Sequence, residues 1–85
     1  MTSEVAGSAM RAVVEVVARA LVDQPGEVQV TESERRGMTV VELSTAPGDM
    51  GKIIGRQGRT AAALRTLVSL TAEQQGTRAQ LDIRD

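Results

Sequence analysis

The spacing of hydrophobic residues predicts a long N-terminal helix over residues 4–23. Its expected buried stripe follows the i, i+3, i+4 pattern and comprises Ala6, Met10, Val13, Val17, Ala20 and Leu21. Arg11, Glu15 and Arg19 repeat every four residues on the other side, where neighbouring charges can pair at the surface. Because proline cannot continue the helical hydrogen-bond ladder, we expect the helix to end before Pro25-Gly26.

Two short stretches then alternate apolar and polar residues, as half-buried strands do. They cover residues 27–34 and 38–45. The positions expected to face the core are Val28, Val30, Val41 and Leu43. The connection over residues 34–37 is short and contains glycine, so the two stretches are predicted to form an antiparallel hairpin.

The second half of the chain predicts a short helix over 48–54, a longer helix over 59–75 and a third strand over 77–84. The expected buried face of the longer helix comprises Ala61, Leu64, Leu67, Val68 and Thr71. Gly76 is expected to cap its C-terminus. The third strand alternates, with Ala79, Leu81 and Ile83 expected to face inward. The resulting order, α-β-β-α-α-β, is that of an α+β fold.

Composition narrows the possible functions. The 85 residues allow one domain, and they include no Cys and no His. Disulfides, thiolate catalysis and the usual general base are therefore excluded, and we predict a non-enzymatic protein with no metal and no cofactor. No aromatic residue is present, which excludes a stacking platform for bases. No apolar run is long enough to span a membrane, and no secretion signal is recognised, so we expect a cytoplasmic protein.

The formal net charge of −1 does not by itself point to nucleic acid, but the basic residues are unevenly placed. Residues 52–65 contain four basic residues and no acidic one. A solvated helix face and an anion-binding surface both fit this pattern.

The segment Gly55-Arg56-Gln57-Gly58 lies between the two later helices. A Gly-x-x-Gly sequence on its own also fits a helix C-cap followed by a turn. Here, however, the loop leads directly into a helix N-terminus, where backbone N–H groups and the helix dipole attract phosphate. Lys52, Arg56 and Arg59 add positive charge at the same place. A P-loop is the weaker alternative, because the spacing Gly-x-x-x-x-Gly-Lys-[Ser/Thr] is missing and the loop follows a helix, not a strand.

The stretch Gly51–Arg59, GKIIGRQGR, resembles the signature of the KH domain, whose Gly-x-x-Gly loop clamps about four nucleotides. The pattern over residues 46–59, together with Arg65-Thr66-Leu67-Val68 and Ala20-Leu21-Val22-Asp23, is similar to the small bacterial single-KH proteins of the KhpA/YlqC family. The resemblance implies one KH domain of the type II kind over residues 1–85, with a three-stranded sheet packed on three helices. Residues 1–36 would form a helix–strand extension and residues 37–85 the core strand–helix–GxxG–helix–strand unit.

The resemblance also implies a binding site for single-stranded RNA. Gly55 and Gly58 would contact phosphates and sugars, and the approach would be lined by Lys52, Arg56, Gln57 and Arg59. Ile54 fits either the apolar floor of the groove or the core, whereas Ile53 is expected in the core. The opposite wall is expected from the second strand, residues 38–45. Family members usually carry a bulky aliphatic residue soon after the second glycine, where this chain has Thr60-Ala61-Ala62-Ala63.

Two functional hypotheses follow from the resemblance. The first is a non-catalytic RNA-binding protein, an RNA chaperone or post-transcriptional regulator linked to cell elongation and division. The alternative is a protein-interaction subunit that acts through homodimerisation or through heterodimerisation with a larger KH protein of the KhpB (Jag/EloR) type. Arg35 and Arg36 fit an exposed turn or a secondary RNA contact.

Overall fold

The first helix, α1, covers Ser3–Leu21; it ends before Pro25, as predicted, but two residues earlier than the expected end at residue 23. A computed structural model describes the backbone of residues 3–84 and the side chains of residues 9–84. The chain continues through a 3-10 turn at Pro25–Glu27 into the strands β1, Gln29–Arg35, and β2, Met38–Ser44. The hairpin that joins β1 and β2 turns at Arg36-Gly37.

The second half begins with a 3-10 turn at Pro47–Asp49, which leads into the short helix α2, Met50–Ile54. The loop after α2 leads into α3, Arg59–Gln74, and the strand β3 follows over Arg78–Arg84. The predicted order α-β-β-α-α-β is confirmed, and no helix or strand boundary differs from the prediction by more than two residues. Gly76 ends α3 as predicted: its N–H donates to Glu73 O, and the N–H of Thr77 donates to Ala72 O.

The three strands form one mixed sheet in the order β1-β2-β3. β1 and β2 pair antiparallel, which confirms the hairpin, whereas β2 and β3 pair parallel. β2 is therefore the central strand and is hydrogen-bonded along both edges. β3 is an edge strand, and it is the strand in closest association with α3.

The buried face of α1 is rotated from the predicted stripe. Met10, Val14 and Ala18 are fully buried, while Ala20 and Leu21 are exposed. Val13 and Val17 are half-buried, and Ala6 lies outside the residues whose side chains are described. Because valines occupy adjacent positions at 13–14 and 16–17, a small rotation exchanges one apolar row for another, and contact with the sheet decides which row is buried.

The buried face of α3 also differs from the prediction at two positions. Ala61, Leu64 and Val68 are buried as expected, but the fourth buried residue is Ala72. Leu67 was predicted to be buried and is 41% exposed. Thr71 is half-buried, and its hydroxyl donates to Leu67 O at 2.8 Å.

A single core lies between the sheet and the helices. The buried side chains of this core come from α1, all three strands, α2 and α3, and the largest of them are Met10, Val14, Val41, Leu43, Ile53, Leu64 and Val68. Val28 and Val30 belong to this core, as does Leu81, which confirms the inward positions predicted for the strands. Ala79 and Ile83 pack against the core only in part. Val40 points to the opposite face of the sheet, yet it is only 3% exposed, so neighbouring side chains cover it.

Candidate nucleic-acid interface

The loop Gly55–Gly58 joins α2 to α3 through an unusual run of backbone conformations. Gly55 has φ 77° and ψ 172°, Gln57 has φ 58°, and Gly58 has φ 74°. The Gly58 N–H donates to Gly55 O, which closes a tight 3-10 turn over residues 56–58. Left-handed backbone is uncommon for a residue with a side chain, and Gln57 adopts it inside this tight turn.

Gly55 is needed for steric reasons as well as for its backbone angles. A Cβ added at this position would overlap the hydroxyl of Thr60 and lie 2.7 Å from Thr60 Cβ. At Gly58 an added Cβ would meet open space. The first glycine of the loop therefore lets α2 and α3 approach closely, and the second lets the chain turn into α3.

The N-terminus of α3 is left without a side-chain cap, because its N-cap residue is Gly58. The first N–H groups of a helix have no partner within the helix, and they carry the positive end of its dipole. The Arg59 N–H donates a hydrogen bond to Arg56 O within the loop. The next N–H groups of the first turn of α3 lie beside the loop. This arrangement suits an anionic group such as phosphate.

Three of the predicted site side chains project from this loop and the start of α3. Arg56, Gln57 and Arg59 are exposed. Among the side chains of residues 9–84, no carboxylate lies within ion-pair distance of Arg56 or Arg59. Both guanidinium groups are therefore available to a phosphate, to which arginine can donate two parallel hydrogen bonds.

Lys52 is placed differently from the two arginines. Its Nζ lies 3.3 Å from Asp23 Oδ2 and 3.9 Å from Asp49 Oδ1. Asp49 is 2% exposed, and its carboxylate accepts hydrogen bonds from the backbone N–H groups of Asp23 and Gln24. Asp49 therefore joins the start of α2 to the segment that follows α1, and the negative charges of Asp23 and Asp49 hold Lys52 at this junction. The Lys52 charge is thus partly neutralised before any ligand arrives.

Ile53 and Ile54 point in different directions from α2. Ile53 is fully buried, which confirms its expected place in the core. Ile54 is 36% exposed, so of its two predicted roles the core is excluded, and it offers apolar surface directly before the loop.

A cleft between α3 and the open edge of β3 is lined by residues that the sequence analysis did not assign to the binding site. It has a volume of about 340 Å³ and is lined by Arg65, Ser69, Ala79, Gln80, Leu81 and Asp82. The wall of this cleft beside α3 is the edge strand β3, whereas the wall expected from the sequence was the second strand, which is β2, the central strand of the sheet. The four-residue spacing of Arg65 and Ser69 on α3 and the alternation in β3 are the signals that could have indicated this cleft.

No group of acidic residues that could hold a metal ion occurs within the part of the chain that the structure describes. Over the same residues, no helix is both long enough and apolar enough to cross a membrane.

The order α-β-β-α-α-β, the mixed three-stranded sheet and the Gly-x-x-Gly loop between consecutive helices define the class: the chain is a KH domain. The family profile described as "KhpA/KhpB, KH domain" matches residues 11–83. The chain belongs to this family.

Curated relatives agree with that assignment. The chain is 52% identical over 69 residues to RNA-binding protein KhpA of Treponema pallidum, covering 81% of this chain and 86% of the relative. It is 50% identical over 76 residues to RNA-binding protein KhpA of Halalkalibacterium halodurans, covering 89% of this chain and all of the relative. A third relative, RNA-binding protein KhpA of Aquifex aeolicus, is 43% identical over 76 residues, covering 89% and 96%.

Proposed function

We propose that the chain is a non-catalytic protein that binds single-stranded RNA and clamps its backbone with the loop Gly55–Gly58. The observation that carries this proposal is the uncapped N-terminus of α3 beside two exposed arginines, Arg56 and Arg59, at the end of a glycine-framed loop. The names of the curated relatives, each an RNA-binding protein, support the same ligand.

The cleft between α3 and β3 is the part of the proposed site that would hold the bases. An edge strand presents backbone N–H and C=O groups that a base edge can bond, and Arg65, Ser69 and Gln80 add polar side chains. Ile54 supplies apolar surface at the loop. Such a groove can accommodate bases without aromatic stacking.

The proposal is tested by replacing Arg56→Asp together with Gln57→Asp, which keeps both glycines and places two negative charges where phosphate would bind. The matched control is Arg11→Asp with Ala12→Asp, an adjacent exposed pair on α1 with the same change in charge. Binding is followed by fluorescence anisotropy with dye-labelled single-stranded RNA pools, and circular dichroism verifies folding. We expect the loop variant to lose at least about tenfold in affinity, as the loss of several charge-assisted contacts implies, and the control to resemble the unmodified chain.

The salt dependence of RNA affinity tests the same phosphate contacts independently. About three or four phosphate contacts predict a slope of roughly −2 to −3 in log K against log salt, because each contact contributes about −0.7 for a single strand. An affinity that does not change with salt, or equal binding by the loop variant and the control, contradicts the proposed clamp.

At the cellular level we propose a cytoplasmic RNA chaperone or post-transcriptional regulator that contributes to cell elongation and division, the role implied by the family resemblance.

A second candidate function, an interaction subunit, is favoured by one observation. Leu67 and Leu70 lie one turn apart on α3 and are 41% and 51% exposed. This apolar surface would be used to form a homodimer or to bind a KH-containing partner of the KhpB kind.

A further inference from the structure

The face of the sheet that the helices leave open has a basic end. Strand register places Arg35 of β1 opposite Met38 of β2, and Met38 opposite Arg78 of β3. Residues directly opposite one another in paired strands point to the same face, so the two arginines flank Met38 in one row across the sheet. Adjacent strands lie about 4.8 Å apart, which places the two arginine Cα atoms roughly 10 Å apart.

The hairpin turn adds a third arginine to this end of the sheet. Arg36 and Gly37 are the two turn residues, with φ 53° and 78°. Positive φ at both positions is the signature of a type I′ turn, whose first position favours Asn, Asp or Gly. Arginine has no conformational reason to be there, and a side chain that opposes local backbone preference is typical of a functional surface.

The acidic residues of this face lie away from the three arginines and close to Arg84. Glu42 and Asp82 lie toward its other end, and both are within ion-pair distance of Arg84. Among the side chains described for residues 9–84, none forms an ion pair with Arg35, Arg36 or Arg78. The row next to the arginines is uncharged and consists of Ser33, Val40 and Gln80.

This basic end lies far from the loop Gly55–Gly58. The loop precedes α3, whereas Arg78 follows the C-terminus of α3 by four residues. A helix of 16 residues is about 24 Å long at 1.5 Å per residue. The roughly four nucleotides that such a loop holds do not span that distance when stacked at about 3.4 Å each. A strand of about a dozen nucleotides exceeds the 36 Å longest dimension of the molecule and reaches both places.

We propose that Arg35, Arg36 and Arg78 form a second contact for the sugar-phosphate backbone of RNA. Phosphate is the ligand that the chemistry favours, because arginine matches its oxygens with paired donors and the neighbouring Ser33 and Gln80 can bond phosphate or sugar. No acidic side chain lies in the last two rows of this sheet face, so the three arginines make the patch positive in a protein of net charge −1. The inference rests on the proposed function and extends it: the loop fixes a short segment, and the basic end of the sheet binds the strand that continues beyond it.

The test compares two RNA lengths. The variant Arg35→Gln with Arg78→Gln removes two charges, and its matched control, Arg11→Gln with Arg19→Gln, removes two from α1. Each is titrated against dye-labelled random RNA pools of 5 and 20 nucleotides. We expect the sheet variant to bind the 20-mer roughly 3- to 10-fold more weakly, with a salt slope shallower by about 0.7 per lost contact, and to bind the 5-mer unchanged. The control is expected to match the unmodified chain at both lengths.

Two further measurements test the inference where RNA binding is weak or where a variant is suspected of unfolding. Backbone amide shifts in NMR are expected at residues 35–37 and 78 with the 20-mer, and only around the loop with the 5-mer. Arg36→Asn is expected to raise the melting temperature by about 2–6 °C, because asparagine suits the turn, while weakening 20-mer binding. A variant that is more stable yet binds less RNA cannot owe its loss to unfolding.

The outcomes separate this inference from the proposed clamp. If the sheet variant and its control bind the 20-mer with equal affinity and no shifts appear at residues 35–37 and 78, the inference is wrong, whatever the loop variant does. A basic end that binds an acidic protein and not RNA would give this result. If the loop variant binds RNA normally while the sheet variant fails, the clamp is wrong and the basic end is the main RNA contact. If the unmodified chain binds neither length, both proposals are overturned.

Discussion

At the scale of single residues, the loop depends on two glycines for different reasons. Gly55 combines φ 77° with ψ 172°, a region that is almost exclusive to glycine, and it also lies against Thr60. Gly58 has φ 74° and ψ 12°, an ordinary left-handed conformation with open space around its Cα. The motif alone marks both glycines equally, and the backbone angles and the contact with Thr60 distinguish them.

We therefore expect Gly55→Ala to be more damaging than Gly58→Ala. The first change introduces both backbone strain and overlap with Thr60, and it should lower the free energy of unfolding by roughly 3 kcal/mol. The second introduces only the left-handed penalty of about 1 kcal/mol. Urea titrations followed by circular dichroism measure both values. Equal losses for the two variants would show that contact with Thr60 does not constrain the loop.

Some residues of the candidate site could be placed from the sequence, and others could not. The positions of Arg56, Gln57 and Arg59 around the loop were predictable, because a Gly-x-x-Gly motif at a helix start places them together. The pairing of Lys52 with Asp23 was not, because it depends on how the end of α1 meets α2. A contact between residues so distant in the chain has no local signature.

At the scale of elements, the order and type of each helix and strand were predictable from periodicity and from the Pro and Gly residues between them. The faces of the strands were predicted correctly because alternation leaves only two choices. Helix rotation was harder, because adjacent apolar residues allow more than one buried row. Leu67 and Val68 are such a pair, and the structure buries Val68 while Leu67 stays at the surface.

The rotation of α3 is tested by the same substitution at two leucines three positions apart. Leu64 is 1% exposed, so Leu64→Ala should cost about 2–5 kcal/mol in unfolding free energy through lost burial and a cavity. Leu67→Ala should change it by no more than about 0.5 kcal/mol. Chemical unfolding is measured in dilute solution, so that self-association adds no stability. A large loss at Leu67 together with a small loss at Leu64 would mean that α3 is rotated.

At the scale of the whole molecule, three surfaces with different chemistry surround one core. The loop is basic and the cleft between α3 and β3 is polar, the open sheet face is basic at one end, and α3 carries the apolar pair Leu67 and Leu70. The near-zero net charge conceals this distribution, because many acidic residues lie outside the basic surfaces or pair within the protein. Net charge was therefore a poor guide to the ligand, and the local charge pattern a better one.

The apolar pair on α3 is the surface on which the interaction-subunit hypothesis depends. Placing a charge at its centre, Leu67→Glu, should prevent self-association without unfolding the chain, because Leu67 contributes little to the core. The matched control is Ala62→Glu, which adds the same charge at an exposed position about 140° away around the helix. Analytical ultracentrifugation over a range of concentrations measures the result: we expect the unmodified chain and the control to dimerise, and the Leu67 variant to remain monomeric.

RNA binding by these variants then separates the two functional hypotheses. The loop lies at the start of α3 and Leu67 lies two turns further on, so a monomeric Leu67 variant should keep its affinity for a short RNA. Conversely, the Arg56→Asp/Gln57→Asp variant should dimerise normally while it loses RNA. A chain that stays monomeric at every concentration contradicts homodimerisation through this surface. If the loop variant also fails to dimerise, RNA binding and association share one surface, and the loop and the apolar pair do not act independently.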